Sequence, residues 1–253
     1  MLLLLDIGNT NTHAGLADAK RVRRHTNFPT GSWANGAAAN HLRRFCGINR
    51  IDGVALCSVV PKVTPKVRAL AKRLWKLPCF ELTARTIRGV TINYPKPDAI
   101  GPDRLANAVA VKHYFGAPAV VVDFGTAVTF DVVDRQGNFV GGIIAPGLSV
   151  MTDYLHEKTA LLPRIRIHQV GGVIGKSTEQ AMLIGTVHGY RGLVRELIVE
   201  LKRELKAPRL PVVATGGFAK IIASKLPEIS AVKPNLTLEG VRLVWLANRC
   251  IAI

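Results

Sequence analysis

Leu2-Leu3-Leu4-Leu5-Asp6-Ile7-Gly8-Asn9-Thr10 opens the chain, and Ala119-Val120-Val121-Val122-Asp123-Phe124-Gly125-Thr126 repeats its plan near the middle. Each is a short apolar run, as a buried strand requires, ending in an acid and a tight turn of glycine and small polar residues. A second apolar run follows each turn, at 12–16 and at 128–133. The repetition predicts two lobes of like construction facing each other across a cleft. An acid beside such a turn suits a phosphate chain and its divalent cation. The backbone N–H groups and hydroxyls would meet phosphate oxygens, and the carboxylate would meet the cation or its water shell.

The 253 residues, 48% of them hydrophobic, suffice for two lobes with substantial cores. The run 2–5 is too short for a secretion signal, and no stretch reaches the ~18 apolar residues of a membrane span. A cytoplasmic protein without membrane contact is expected. Cys46, Cys57, Cys79 and Cys250 form no C-x-x-C pair and no zinc-ligand spacing, so they read as buried free thiols of a reducing compartment. The net charge of +17 raises the question of nucleic acid. Its basic residues are scattered, however, with no dense arm, aromatic-interleaved motif or helix-turn-helix. Nucleic acid is not expected as a partner.

Read along the chain, 1–5 and 12–16 form a hairpin, 37–45 a helix, 54–60 a strand and 63–77 an amphipathic helix. A short strand follows at 79–82. The Pro-rich stretch 91–103 reads as a loop feeding a helix at 105–113, which puts Asp103 at or next to a helix N-terminus. In the second half, 119–122, 128–133, 139–144 and 211–214 read as strands, and 149–159 and 177–202 as helices. The rhythm predicts two α/β lobes with mixed sheets, 1–116 and 117–253, divided near Gly116-Ala117-Pro118. Gly175-Lys176-Ser177 resembles the end of a P-loop after a strand-like 165–167, but Val170 stands where the first glycine is required. Ser177 or Thr178 as helix N-cap accounts for it. No G-x-G-x-x-G and no G-x-S-x-G follows any strand.

Three residues have two readings each. Asp103 is a first-turn helix acid or a general base for a hydroxyl attacking a γ-phosphate, and the two phosphate-type turns favour the base. Arg104 beside it could steady a carboxylate or phosphate. His13 is a strand histidine or a phosphate neighbour, and Tyr94 a core cover or a substrate wall.

The strand-end turns resemble the phosphate loops of the acetate kinase, sugar kinase, Hsp70 and actin superfamily. Within it the whole chain resembles the type III pantothenate kinase family. The resemblance rests on the ordered set Asp6 to His13, Ser58-Val59-Val60-Pro61, Asn93-Tyr94, Gly101-Pro102-Asp103-Arg104, Asp123-Phe124-Gly125-Thr126-Ala127, Gly141-Gly142 and Ala145-Pro146-Gly147. It continues through Thr159-Ala160-Leu161-Leu162-Pro163, Ile174-Gly175-Lys176-Ser177-Thr178, Thr215-Gly216-Gly217 and Leu236-Thr237-Leu238-Glu239-Gly240.

The resemblance implies two duplicated ribonuclease H-like lobes with mixed β-sheets and flanking helices, the actin-like ATPase fold. It implies transfer of the ATP γ-phosphate to the primary hydroxyl of pantothenate, giving 4'-phosphopantothenate for coenzyme A. By the same resemblance Asp6, Ile7, Gly8, Asn9, Thr10, Asn11, Thr12 and His13 would hold ATP phosphates, with Asp6 near Mg²⁺ and Thr126 also on ATP. Asp103 would be the catalytic base. Tyr94, Gly101, Pro102, Asp103, Arg104 and Thr178 would bind pantothenate. Asp123 would bind K⁺ or NH₄⁺. A homodimer is implied, its contacts sought in the helices after residue 150. The competing readings are a kinase of another small acceptor and a basic regulatory or nucleic-acid-binding protein on a kinase scaffold.

Overall fold

The computed structural model describes residues 1–249, so Cys250 lies outside the described residues. The chain forms two compact units. Among the described residues the first holds Met1–Gly116, Gly137–Val140 and 235–249, and the second holds Ala117–Gln136 and Gly141–Pro234. The stretch from Asn235, assigned from sequence to the lobe 117–253, thus packs within the first unit.

In the first unit a five-stranded sheet runs in the order β3-β2-β1-β4-β5. Its strands are β1 (Leu2–Ile7), β2 (Asn11–Ala17), β3 (Val22–Pro29), β4 (Gly53–Ser58) and β5 (Cys79–Glu81). Central β1 is antiparallel to β2 and parallel to β4. Strand alternation sends Leu3, Leu5 and Ile7 to one face. There they join Trp33, Val67 and Leu70 in a core with α1 (Ala37–Cys46) and α2 (Thr64–Trp75). Leu2, Leu4 and Asp6 point to the other face, against α3 (Pro102–Phe115) and α7 (Leu236–Arg249).

Glycines allow α7 to approach this closely. A Cβ on Gly240 would strike the Ala106 backbone of α3, and one on Gly53 would strike the Trp245 ring. Between the two helices Thr237 Oγ1 donates to buried Asn107 Oδ1 at 2.9 Å. Glu239 accepts from Val22 N at 2.7 Å and from Arg242 Nε at 2.6 Å, while Arg242 Nη1 donates to Ala19 O at 2.7 Å. The C-terminal helix is thereby tied to the β2–β3 connection and to α3 together.

The second unit carries β7 (Ala119–Phe124), β8 (Ala127–Val133), most of β9 (Asn138–Pro146), β10 (Val212–Thr215) and β11 (Ala231–Val232), in the order β11-β10-β7-β8-β9. The first three residues of β9 belong to the first unit, where Asn138 and Phe139 pair with β6 (Thr91–Ile92). Central β7 is antiparallel to β8 and parallel to β10, as β1 is to β2 and β4. The duplication extends to burial: in both β1 and β7 four buried residues precede a partly exposed aspartate and one more buried residue. The helices are α4 (Leu148–Lys158), α5 (Thr178–Glu204) and short α6 (Ala219–Ala223). Tyr190 of α5 is buried beside Phe124, its hydroxyl donating to Pro146 O at 2.8 Å.

One sequence expectation changes, and one choice left open by the sequence is decided. The strand-like stretch 165–167 has no ladder partner and runs as irregular chain, with Ile165 packed on Met182, Leu183 and Val187. Ser177, not Thr178, is the N-cap of α5, accepting from Gln180 N at 3.2 Å. No described helix is long and apolar enough to cross a membrane.

Candidate active site

Asp6 ends the run of leucines in β1, and the register of the sheet decides its neighbours. Cys57 of β4 lies opposite it on one side and His13 of β2 on the other. His13 in turn lies opposite Asn27 of β3. Cys57, Asp6, His13 and Asn27 therefore form one polar row across four strands. Cys57 Sγ donates to Asp6 Oδ1 at 3.4 Å, and His13 Nδ1 bonds Asn27 Oδ1 at 2.8 Å.

Asp103 reaches the same end of the sheet because α3 lies on that face and begins there. Pro102 suits the first helical turn, where no N–H is needed. Gly101 leaves room for the carboxyl to fold back, since a Cβ at 101 would collide with Asp103 Oδ1. That oxygen accepts from Arg104 N at 2.9 Å, which orients the group. Burial pushes the Asp6 carboxyl up to about 7, and the charge of Asp103 adds to the effect against the Cys57 hydrogen bond. Burial also raises Asp103, opposed by the Arg104 N–H and guanidinium. The Cys57 thiol is pushed well above its ordinary value by burial, with Asp6 and Asp103 contributing. Burial lowers the His13 imidazole, against the Asn27 hydrogen bond.

The turn after Asp6 is closed by Gly8 N donating to Asn11 O at 3.0 Å, with Asn9, Thr10 and Asn11 exposed at its tip. A relay of hydrogen bonds braces it from beneath. Trp33 Nε1 donates to Thr12 Oγ1 at 3.1 Å, Thr12 and Thr30 hydroxyls meet at 3.1 Å, and Thr30 Oγ1 donates to Gly8 O at 2.7 Å. Thr30 has one hydroxyl hydrogen and gives it to Gly8, so Thr12 is the donor to Thr30. Ile7 and Thr12, both expected among the phosphate contacts, are fully buried. Their side chains support the turn from inside the core, and Thr12 spends its hydroxyl there.

Tyr94, Phe139 and Arg104 gather in the first unit. The Tyr94 ring meets Phe139 edge-on at 6.3 Å, and the Arg104 guanidinium lies 5.6 Å from the Phe139 centroid. Sequence reading assigned Phe139 only to a strand; its place here follows from the pairing of β6 with β9. In the second unit, Asp123 sits at the end of β7 with Gly216 packed against it. A Cβ on Gly216, whose φ is +90°, would come within 2.5 Å of Asp123 Oδ1. Thr126 is exposed on the turn, its carbonyl accepting from Gly147 N at 3.1 Å. Thr178 is the exposed first residue of α5.

No group of three or more His, Cys, Asp or Glu side chains is assembled into a metal cage among the described residues. One or two oxygen ligands at Asp6, completed by water and phosphate, fit Mg²⁺, which is held in that manner at phosphate sites. The raised Asp6 carboxyl is the complementary sign: a buried acid that a cation would ionise.

Lobes built twice on one plan, each with a strand-end aspartate and a glycine turn, define a phosphotransferase of the actin-like ATPase fold. In structure the chain is similar to a Sinorhizobium meliloti protein assigned as a 2-dehydro-3-deoxygalactonokinase, with TM-score 0.59 and 13% identity over 99% of this chain and 97% of that one. In sequence, the type III pantothenate kinase profile matches residues 2–200. The type III pantothenate kinase of Methylacidiphilum infernorum is 42% identical over 244 residues, 96% of this chain and 87% of the relative. That of Akkermansia muciniphila is 44% identical over 241 residues, 95% and 96%. The chain belongs to the type III pantothenate kinase family. It transfers the γ-phosphate of ATP to the primary hydroxyl of pantothenate, the first step of coenzyme A biosynthesis, with a divalent metal accompanying ATP.

Proposed function

We propose that Asp103 is the base of this phosphoryl transfer, accepting the proton of the pantothenate hydroxyl as that oxygen attacks the γ-phosphate. The pairing of two half-buried acids, Asp6 pushed up to about 7 and Asp103 raised by burial, at the same end of one sheet carries the reading. A base works best with a pKa near the working pH, and burial moves Asp103 that way. Asp6 serves the nucleotide side. With Gly8, Asn9, Thr10, Asn11 and His13 it receives the phosphates, Ile7 and Thr12 supplying backbone and support, and Thr126 is a further ATP contact. Tyr94, Gly101, Pro102, Arg104 and Thr178 hold pantothenate, Phe139 backing Tyr94 and Arg104.

Asp6 would hold the divalent cation, Mg²⁺, whose charge would neutralise that of the phosphates. Asp123 takes a monovalent cation, K⁺ or NH₄⁺, on the second glycine turn. Phosphoryl transfer needs positioning and charge neutralisation more than covalent help from the protein, and these residues supply both. Replacing Asp103 with Asn removes the base and keeps the shape. Turnover should fall about 10²–10⁴-fold with the fold intact by circular dichroism. Full activity in Asp103→Asn would remove Asp103 from this role.

The working unit is a homodimer in the cytoplasm, the free thiols Cys46, Cys57 and Cys79 suiting a reducing compartment. A groove of about 530 Å³ between α4 and α5 is lined by Met151, Tyr154, Leu155, Met182 and Gly185, and the first three are exposed large apolar residues. Apolar surface of this kind on a folded chain marks a contact surface. Light scattering should give the mass of two chains, and Tyr154→Arg should give one. A single-chain mass for the unaltered protein is the contrary result.

A further inference from the structure

Between Asp18 and Asp98 the chain carries sixteen Lys and Arg and two acids, Asp52 and Glu81. Both acids are engaged: Asp52 meets the N-terminal amine at 2.7 Å and Arg50 at 3.0 Å, and Glu81 meets Arg68. Along the sequence these cations fall in short, separate runs, but scatter in the chain is not scatter on the surface. Helices α1 and α2 pack on the same face of the first sheet, so their outer sides lie towards solvent together. Arg43 and Arg44 of α1 and Lys66, Arg68, Lys72 and Arg73 of α2 are exposed there, and neither helix contains an acid. Lys62 and Lys76, also exposed, flank α2. Solubility is met by mixed signs, as on α5, where Glu196, Glu200 and Glu204 stand among Arg195, Lys202 and Arg203. The helix dipole accounts for cations in the last turns of α1 and α2. It does not account for Lys62 and Lys66 at the N-terminal end of α2, where a cation is unfavourable and the first turn has no acid to offset it.

We propose that the outer face of α1 and α2 binds the sugar–phosphate backbone of duplex DNA without regard to sequence. The twelve residues of α2 span about 18 Å, enough to bring its cations to several successive phosphates. No large apolar or aromatic side chain of either helix is exposed. The face therefore offers no platform on which unstacked bases of a single strand could lie, and nothing to insert into a bilayer. Charge without stacking or insertion suits the backbone of a closed duplex, which is bound by neutralising phosphates. The face is separate from the kinase chemistry. Leu3, Leu5 and Ile7 point towards α1 and α2, whereas Asp6 points to the other side of the sheet, where α3 brings Asp103. Moreover, α2 starts just after β4 ends beside Ile7, and runs back along the sheet, so Lys72 and Arg73 lie at the end remote from Asp6.

The test is fluorescence anisotropy of labelled duplexes of about 20 base pairs and unrelated sequence, titrated with the full chain across a salt series. At about 0.15 M salt the duplexes should bind alike, with Kd of about 1–100 μM. The triple variant Arg44→Gln, Lys72→Gln and Arg73→Gln should bind at least about tenfold more weakly. Its slope of log K against log salt should be shallower by about 2–3, the share of three phosphate contacts. A control triple, Arg209→Gln, Lys220→Gln and Lys225→Gln, removes the same charge from exposed positions of the second unit and should weaken binding less than about twofold. ADP release with pantothenate and the thermal midpoint should be unchanged in both variants. No duplex binding tighter than about 1 mM at that salt overturns the proposal. So does an equal loss in the two triples, which would make the effect one of total charge. Tighter binding to a single strand of the same length, or to vesicles of anionic phospholipid at equal phosphate, assigns the face to another partner and also overturns it. Loss of ADP release in the first triple would join these cations to the kinase site and end their separate role.

Discussion

A carboxyl group buried at the end of a central strand, with a second carboxyl beside it, is easier to protonate than to ionise while no cation is near. Asp6 has an ordinary value of 3.8 and a folded value of about 7. Its protonated form therefore favours the fold at low pH, and that contribution is lost as pH rises from the lower value through the higher one. Asp6→Asn removes the ionisation and keeps the shape. At about pH 8, without nucleotide or divalent metal, the variant should be more stable than the unaltered protein by roughly 2–4 kcal/mol. The gap should close towards about pH 4, and activity should be lost throughout. Thermal melts across that range are the check; a variant less stable at the higher pH contradicts the assignment. Asp6 and Asp123 are legible in the sequence because each acid interrupts an apolar run at a glycine turn. Cys57 and Asn27 are not, because their place beside Asp6 and His13 is set by strand register, which joins residues far apart in the chain. Asp103 was legible as a helix-start acid; its closeness to Asp6 required knowing which face α3 covers.

The hairpin β1–β2 and its turn are held by the relay from Trp33 through Thr12 and Thr30 to Gly8. Thr30 also fixes the turn through its backbone, donating from N to Thr10 O at 2.9 Å. Thr30→Val keeps the bulk, deletes the hydroxyl and leaves the Gly8 carbonyl and Thr12 hydroxyl short of partners. Stability should fall by about 1–3 kcal/mol, and KM for ATP should rise more than KM for pantothenate. Equal change in both would mean that the turn does not serve the nucleotide; steady-state kinetics with each substrate varied decides. The hairpin, α1, α2 and the long helix α5 could be read from periodicity. Strand β3 could not: residues 22–29 include Arg23, Arg24, His25 and Asn27, all exposed, and only Phe28 is fully buried. An edge strand with one buried side chain shows no alternation to detect. Helix α7 had a signal, with Leu238, Val241, Val244 and Trp245 at helical spacing after Pro234, and Arg249 in its last turn. Its return to the first unit has no local signature, because it depends on Gly240 admitting the backbone of α3.

At the scale of the whole molecule, duplication supplies the frame and the asymmetry supplies the chemistry. The strand-end aspartate occurs in both units with the same burial pattern, but only the first unit adds an α3 that begins with Gly101-Pro102-Asp103 on the same face of the sheet. The net charge of +17 draws polyanions such as ATP without choosing among acceptors. The proposed acceptor site is instead the neighbourhood of Asp103, with Tyr94, Phe139 and Arg104 gathered in the same unit. The most direct test is ADP release from ATP with pantothenate set against a panel of other small alcohols and carboxylates at equal concentration, with and without K⁺. Release should depend on pantothenate, exceed that with every other acceptor and rise with K⁺. Equal release across the panel, or none with pantothenate, would contradict the account.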